Sequence, residues 1–265
     1  MPTPLTPVER LLALADIYTQ HNDLLDTLLS GSTSLPAPDA YAASARRLER
    51  EALVSIKAVR QQPLPAIESI KSAVVRLKQL AHLTAGATHY LTAAQHVLPP
   101  DGAQHQRLNP RHGARWYIQL ARELTALAPL TIIDSAMVIA RRLPSRSHSH
   151  TTVPGMTVDH RDALLEVGRG HIATTQRNGN QFVYHHGTSV DAKMLGQLET
   201  QGLIIHEPAS AAPFFTGGPS RDRARLTPLG ISALSTAITS QFPLTRPVAA
   251  PAAASTTVSA SRTRR

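Results

Sequence analysis

Eight side chains between residues 188 and 225 have the chemistry to contact an anionic polymer. They are hydroxyl, amide and basic groups at short intervals: Thr188, Ser189, Lys193, Gln197, Thr200, Arg221, Arg223 and Arg225. Lysine and arginine neutralise phosphates, while hydroxyls and free amides at a helix N-terminus bind phosphate oxygens. A glutamine amide can donate to and accept from an adenine edge at once. The set therefore suits contacts with double-stranded DNA.

The first five of these residues need a helix to hold them. Thr188 or Ser189 can cap a helix over residues 189–201, with Asp191 near its positive end. The apolar residues of this segment fall on one helical face, namely Val190, Met194, Leu195 and Leu198. Lys193, Gly196 and Thr200 then point outward, with Gln197 on the flank. Gly202 supplies the left-handed residue of a Schellman motif.

The three arginines need a β-hairpin. Leu203 to Ile205 begin a strand, and a loop rich in Pro and Gly follows. The alternation at 223–226 predicts a returning strand, so residues 207–225 form a wing with arginines at its base. Thr227 and Pro228 then begin a last helix.

This order of helix, strand, loop and strand resembles the MarR-like winged-helix regulators. The matching phrases are Leu198-Glu199, Gly202-Leu203-Ile204, Asp222-Arg223, and Leu226-Thr227 with Gly230. They cover about residues 188–234. The resemblance implies a transcription regulator whose helix 189–201 reads DNA, with Arg223 in the position of the wing arginine. Its helix-turn-helix would enter a major groove.

One segment departs from the resemblance. In the MarR-like pattern the place between the first helix and the recognition helix is itself helical. Here Asn178-Gly179 lies between apolar, β-prone runs at 171–175 and 182–186, and Asn-Gly favours a tight hairpin turn. We therefore expect a β-hairpin in place of that supporting helix.

The remainder of the chain predicts helices. Long apolar stripes at helical spacing run from Pro7 to about residue 143, interrupted by Pro-rich loops. The predicted fold class is mainly α with a small β component, an N-terminal helical bundle followed by a winged-helix domain. The predicted divisions are a bundle at 1–145 that could dimerise, a linker at 146–156, a winged-helix domain at 157–242, and a disordered basic tail at 243–265.

The charge distribution leaves two functions open. The formal net charge is +9, which favours a nucleic-acid partner. However, residues 151–242 hold seven basic and seven acidic residues, so the predicted winged-helix domain is neutral. The first hypothesis is a DNA-binding regulator that acts as a homodimer. The alternative is a protein–protein interaction or scaffold protein whose winged helix does not bind DNA.

Enzymatic function is not indicated. The chain has no Cys, which excludes disulfides, thiolate metal sites and a cysteine nucleophile. It also lacks the short motifs of phosphate-binding loops, nucleophile elbows and helical zinc sites. We expect no catalytic activity, no cofactor and no bound metal. With neither a signal-peptide pattern nor a long uninterrupted apolar run, we expect a cytoplasmic protein without membrane contact.

Overall fold

The computed structural model describes residues 5–30, 38–97, 110–143, 156–177, 180–185, 190–213 and 218–240. Within the first three ranges lie five helices: α1 (Pro7–Leu29), α2 (Pro38–Arg60), α3 (Glu68–Val97), α4 (Pro110–Thr125) and α5 (Ala128–Ala140). Helix α1 begins at the sequence Thr6-Pro7-Val8-Glu9, a pattern that predicts a helix start. The Thr6 hydroxyl accepts from the Glu9 amide at 3.2 Å, and the Glu9 carboxylate accepts from the Thr6 amide at 2.8 Å. This capping box satisfies two amides that the helix itself cannot.

The later ranges combine three helices with one sheet. The elements are α6 (Val158–Gly168), β1 (Ala173–Arg177), β2 (Asn180–Tyr184), α7 (Ala192–Thr200), β3 (Ile204–Ala211), β4 (Arg221–Leu226) and α8 (Pro228–Ser240). The sheet order is β2-β1-β4-β3, and every neighbouring pair is antiparallel. The fold class is therefore mainly α with a small β component, as the sequence predicted.

The predicted hairpin is present in place of a supporting helix. Ala173 pairs with Tyr184 and Arg177 pairs with Asn180, so a two-residue connection joins β1 to β2. The strands are displaced by two residues from the predicted bounds, and the Asn178-Gly179 turn lies outside the described residues. Because β1 also pairs with β4, the hairpin extends the wing strands into one sheet.

One hydrophobic cluster continues through both predicted domains. It contains Leu11 and Leu12 of α1, Ile132 of α5, Leu195 of α7 and Leu234 of α8, each fully buried. Helix α1 contacts the other bundle helices and also α6, α8 and β3, so it forms the centre of the molecule. The part of the chain from α6 onward therefore shares its core with the bundle. The predicted linker at 146–156 (apart from Met156) and the predicted tail at 243–265 lie outside the described residues.

Candidate nucleic-acid interface

Helix α7 is held at both ends by local hydrogen bonds. At its start, the Asp191 carboxylate accepts from the Met194 amide at 2.7 Å. Asp191 is therefore the N-cap, in place of Thr188 or Ser189, which lie outside the described residues. At its end, Gly202 adopts φ +69°, and the Leu203 amide donates to the Leu198 carbonyl at 2.9 Å. These contacts confirm the predicted Schellman motif.

The two faces of α7 differ as the spacing predicted. Leu195 and Leu198 are fully buried in the core. Lys193, Gln197 and Thr200 are exposed on the opposite side. The Thr200 hydroxyl donates to the Gly196 carbonyl at 2.7 Å, which leaves its lone pairs and methyl group for a partner. The helix thus presents one base, one amide and one hydroxyl along its outer face.

Acidic groups flank the same helix. The N-cap Asp191 and the exposed Glu199 both lie on α7 or at its start. Glu199 is 3.9 Å from His206 of β3. Two carboxylates beside a single lysine give this face no excess of positive charge, so its attraction for phosphates is weak.

The wing arginines are placed differently from the sequence-based expectation. Residues 221, 223 and 225 alternate along β4, so they share one face of the strand. Helix α1 covers that face. The Arg223 guanidinium forms a two-pronged ion pair with Asp23, with Nε at 2.9 Å from the carboxylate, and its Nη1 donates to the Gly170 carbonyl at 2.7 Å. The expectation that Arg223 faces DNA is therefore corrected, because its donors are used inside the protein.

Arg225 is also turned inward. Its Nη2 donates to the Asp16 carboxylate of α1 at 2.6 Å, and its Nη1 donates to Glu207 of β3 at the same distance. Only 6% of the Arg225 side chain is exposed. Burial raises the pKa of Asp16 to about 6, even though Arg225 opposes the shift. Burial also raises the pKa of Asp23, against the hydrogen bonds from Arg223. Arg225 is therefore not available to DNA either.

Arg221 lies at the edge of a cleft between α1 and the sheet. Its Nε donates to the Ala212 carbonyl at 2.7 Å, and its guanidinium carbon lies 5.2 Å from the centre of the Tyr184 ring. Burial lowers the pKa of Arg221, and the neighbouring Arg223 lowers it further. Arg221 is thus partly buried, and it too is held by its own sheet.

The cleft has a volume of about 490 Å³ and is strongly polar. Its walls include Asp23, Asp26, Arg122, Arg169, His171 and Arg223. Arg122 makes a two-pronged ion pair with Asp26, at 2.8 and 2.9 Å. Arg169 is paired with Glu166 and Asp134. These charges are paired with one another or with neighbouring carboxylates. The cleft is therefore lined by ion pairs that link α4 and the sheet to α1.

The sequence reasoning missed the carboxylates that hold the wing. Asp16 and Asp23 are seven residues apart in α1, which places them on one helical face. Their partners Arg225 and Arg223 are two residues apart on β4. The available signal was a pair of acids at helical spacing on a helix whose other residues are largely apolar. That signal does not show which groups the two acids contact.

Two other observations bear on function. In the ranges that the structure describes, no group of three or more His, Asp or Glu side chains is arranged to hold a metal ion.

One described helical stretch, Gly113–Ala140, is apolar and long enough to cross a membrane by length and composition, and half of its most apolar window is buried inside the protein. The stretch is divided by the turn between α4 and α5. The expected absence of membrane contact stays a prediction.

Comparison with known proteins gives no family assignment: no family model, no curated protein and no solved structure matches this chain.

Proposed function

We propose that the chain is a DNA-binding protein without enzymatic activity, which places α7 in the major groove of a duplex as a transcription regulator does. The observation that carries this proposal is the outer face of α7. Lys193, Gln197 and Thr200 project from it, while Leu195 and Leu198 fix the opposite face to the core. A short helix held rigidly on one side and polar on the other is suited to groove reading.

Each exposed side chain has a distinct role in this proposal. Gln197 reads an adenine, because its amide can donate to N7 and accept from the N6 amino group. Lys193 contacts a phosphate near the start of the helix. Thr200 offers its methyl group to a thymine or its oxygen to an amino donor. Arg223 and Arg225 are left out, since their guanidinium groups are enclosed by α1.

The small number of phosphate contacts on α7 affects how many copies of the protein are needed for binding. A single lysine on α7 releases few counterions, so one copy should bind DNA weakly. Two copies on two half-sites would double the contacts and raise the affinity. A homodimer is therefore part of the proposal.

The test is fluorescence anisotropy on duplexes recovered from fragmented genomic DNA, at two or more salt concentrations. Lys193→Ala should weaken binding to every sequence and flatten the salt dependence by roughly one unit of slope. Gln197→Ala should relax the preference at one base position. The matched control is Arg142→Ala, which removes one exposed charge at the end of α5. If Arg142→Ala weakens binding as much as Lys193→Ala does, the loss comes from the change in charge and not from a contact made by α7, which would contradict the proposal.

A second candidate function is a protein–protein interaction module. The specific observation in its favour is the internal pairing of Arg223 and Arg225 with carboxylates of α1, which removes two of the three β4 arginines from contact with DNA. Two outcomes would favour it over DNA binding. The intact protein would bind no duplex at low salt, or deletion of residues 243–265 alone would abolish all binding.

A further inference from the structure

The exposed side of α2 is basic from residue 46 to its end. Its solvent-facing positions from residue 46 onward hold Arg46, Arg47, Arg50, Leu53, Val54, Lys57 and Arg60. The acidic residues of this stretch, Glu49 and Glu51, are half-buried at the side of the helix. Leu53 and Val54 are 54% and 45% exposed. The stripe therefore combines positive charge with uncovered aliphatic surface.

Helix α3 continues this surface. It packs along α2, and its exposed positions include Lys71, Val75, Arg76 and Lys78. Tyr41 of α2 shares a core cluster with Leu91 of α3, so the start of α2 lies beside the end of α3. The second half of α2 consequently lies beside the first half of α3. Val75, in that first half of α3, is 50% exposed.

We call this surface the α2–α3 ridge, defined by exposed residues 46–60 and 71–78. Within the described ranges, no ion pair joins any of its basic side chains to a carboxylate. This contrasts with β4, whose arginines are paired internally. Exposed aliphatic side chains beside a net positive rim are the arrangement of a binding surface, in which the apolar side chains supply affinity and the rim supplies selectivity.

We propose that the α2–α3 ridge docks an acidic amphipathic helix of a partner protein. The partner's apolar residues pack on Leu53, Val54 and Val75, while its flanking carboxylates pair with the basic rim. The stripe from residue 46 to residue 60 is about 21 Å long at helical rise, which matches a partner helix of roughly 15 residues. This surface is separate from α7, so the inference does not depend on DNA binding.

The chemistry of the ridge favours a protein over DNA or a lipid surface. Phosphates would pair with the basic side chains but would leave the aliphatic centre against a polar backbone. A helix that lies on a membrane turns an apolar face to the lipid and a charged face to water. On α2 the opposite face is already buried in the core, so the exposed apolar and basic residues occupy one stripe. An acidic amphipathic helix complements both kinds of residue at once.

The test uses the full chain and a fluorescent synthetic peptide of about 18 residues, helical over roughly 27 Å, with leucine on one face and glutamate on its flanks. Three comparison probes are a glutamate-rich peptide without the leucine face, a duplex of random sequence and phosphatidylserine vesicles. Arg50→Glu with Lys57→Glu should weaken peptide binding at least tenfold. Leu53→Ser with Val75→Ser should weaken it by a similar factor. The matched control, Arg115→Glu with Arg142→Glu, reverses two exposed charges elsewhere and should leave binding unchanged.

A peptide of opposite charge distinguishes the loss of specific contacts from misfolding of the variant. A peptide with lysine in place of glutamate should bind the Arg50→Glu, Lys57→Glu variant more tightly than the unaltered protein. Three results would overturn the proposal. The acidic amphipathic peptide fails to bind at low salt, or the leucine-free peptide binds as tightly, which reduces the ridge to a general attractor of anions. The third is that the duplex or phosphatidylserine vesicles bind the ridge more tightly than the peptide, as shown by loss of that binding in the Arg50→Glu, Lys57→Glu variant.

Discussion

Replacing Arg223 by alanine should destabilise the whole protein rather than weaken one binding surface. Arg223 and Asp23 connect β4 to the central helix α1 across almost the full length of the described chain. The side chains of Arg223 and Asp23 are only 12% and 6% exposed. Arg223→Ala leaves the Asp23 carboxylate buried without its cation and the Gly170 carbonyl without its side-chain donor.

The magnitude follows from that burial. Removing one partner of a buried ion pair costs about 3–5 kcal/mol, since the remaining charge stays desolvated. For a chain of this size that loss lowers the melting temperature by about 6–20 °C. Burial raises the pKa of Asp23 and Arg223 opposes that shift, so in Arg223→Ala the pKa rises further and the folded variant takes up a proton at higher pH than the unfolded chain or the unaltered protein. The deficit should therefore shrink as the pH is lowered below neutral.

The assay is chemical and thermal unfolding of the full chain, followed by circular dichroism. The matched control is Arg122→Ala, which breaks a two-pronged pair with Asp26 on the same helix. That pair is 25% and 30% exposed, so its loss should cost only about 1 kcal/mol. Equal unfolding curves for Arg223→Ala and the unaltered protein would refute the reasoning. Arg223 would then be a solvent-facing wing arginine, as the family resemblance implied.

Four further outcomes are expected from the packing and the pKa shifts. Leu198→Ala should lower the free energy of unfolding by about 2–5 kcal/mol, because it opens a cavity under α7, and an unchanged melting temperature would contradict that. Gly230→Ala should destabilise the protein by at least about 1–3 kcal/mol, since an added Cβ would meet the Leu203 carbonyl oxygen at 2.0 Å. Gly196→Ala meets nothing within 4 Å and should instead stabilise α7 by about 0.5–1 kcal/mol in the same unfolding assay. Burial lowers the pKa of His21 to about 4, so below pH 6.5 the unfolded chain binds a proton that the folded protein does not. The free energy of unfolding should therefore fall by up to about 3 kcal/mol as the pH drops from 6.5 to 4. In urea titrations His21→Gln should flatten that fall, and a slope that this substitution leaves unaltered would contradict it.

Short-range signals determined most of the secondary structure. The Thr6–Glu9 capping box and the left-handed Gly202 each depend on contacts within about five residues. The Asn178-Gly179 signal for the hairpin is equally local in sequence. Such contacts form whatever the rest of the chain does, so the sequence alone was enough to place them. The apolar spacing of α7 is equally local, and for that reason its buried and exposed faces were predicted correctly.

The tertiary structure alone decided what the arginines of β4 do. Strand alternation puts Arg221, Arg223 and Arg225 on one face, but it cannot say whether that face meets water, DNA or protein. The answer comes from α1, whose Asp16 and Asp23 are about two hundred residues away in sequence. A guanidinium is equally suited to a phosphate or a buried carboxylate, so its residue type carries no preference. Only the packing of α1 against the sheet, driven by apolar burial along the rest of that helix, selects the carboxylate.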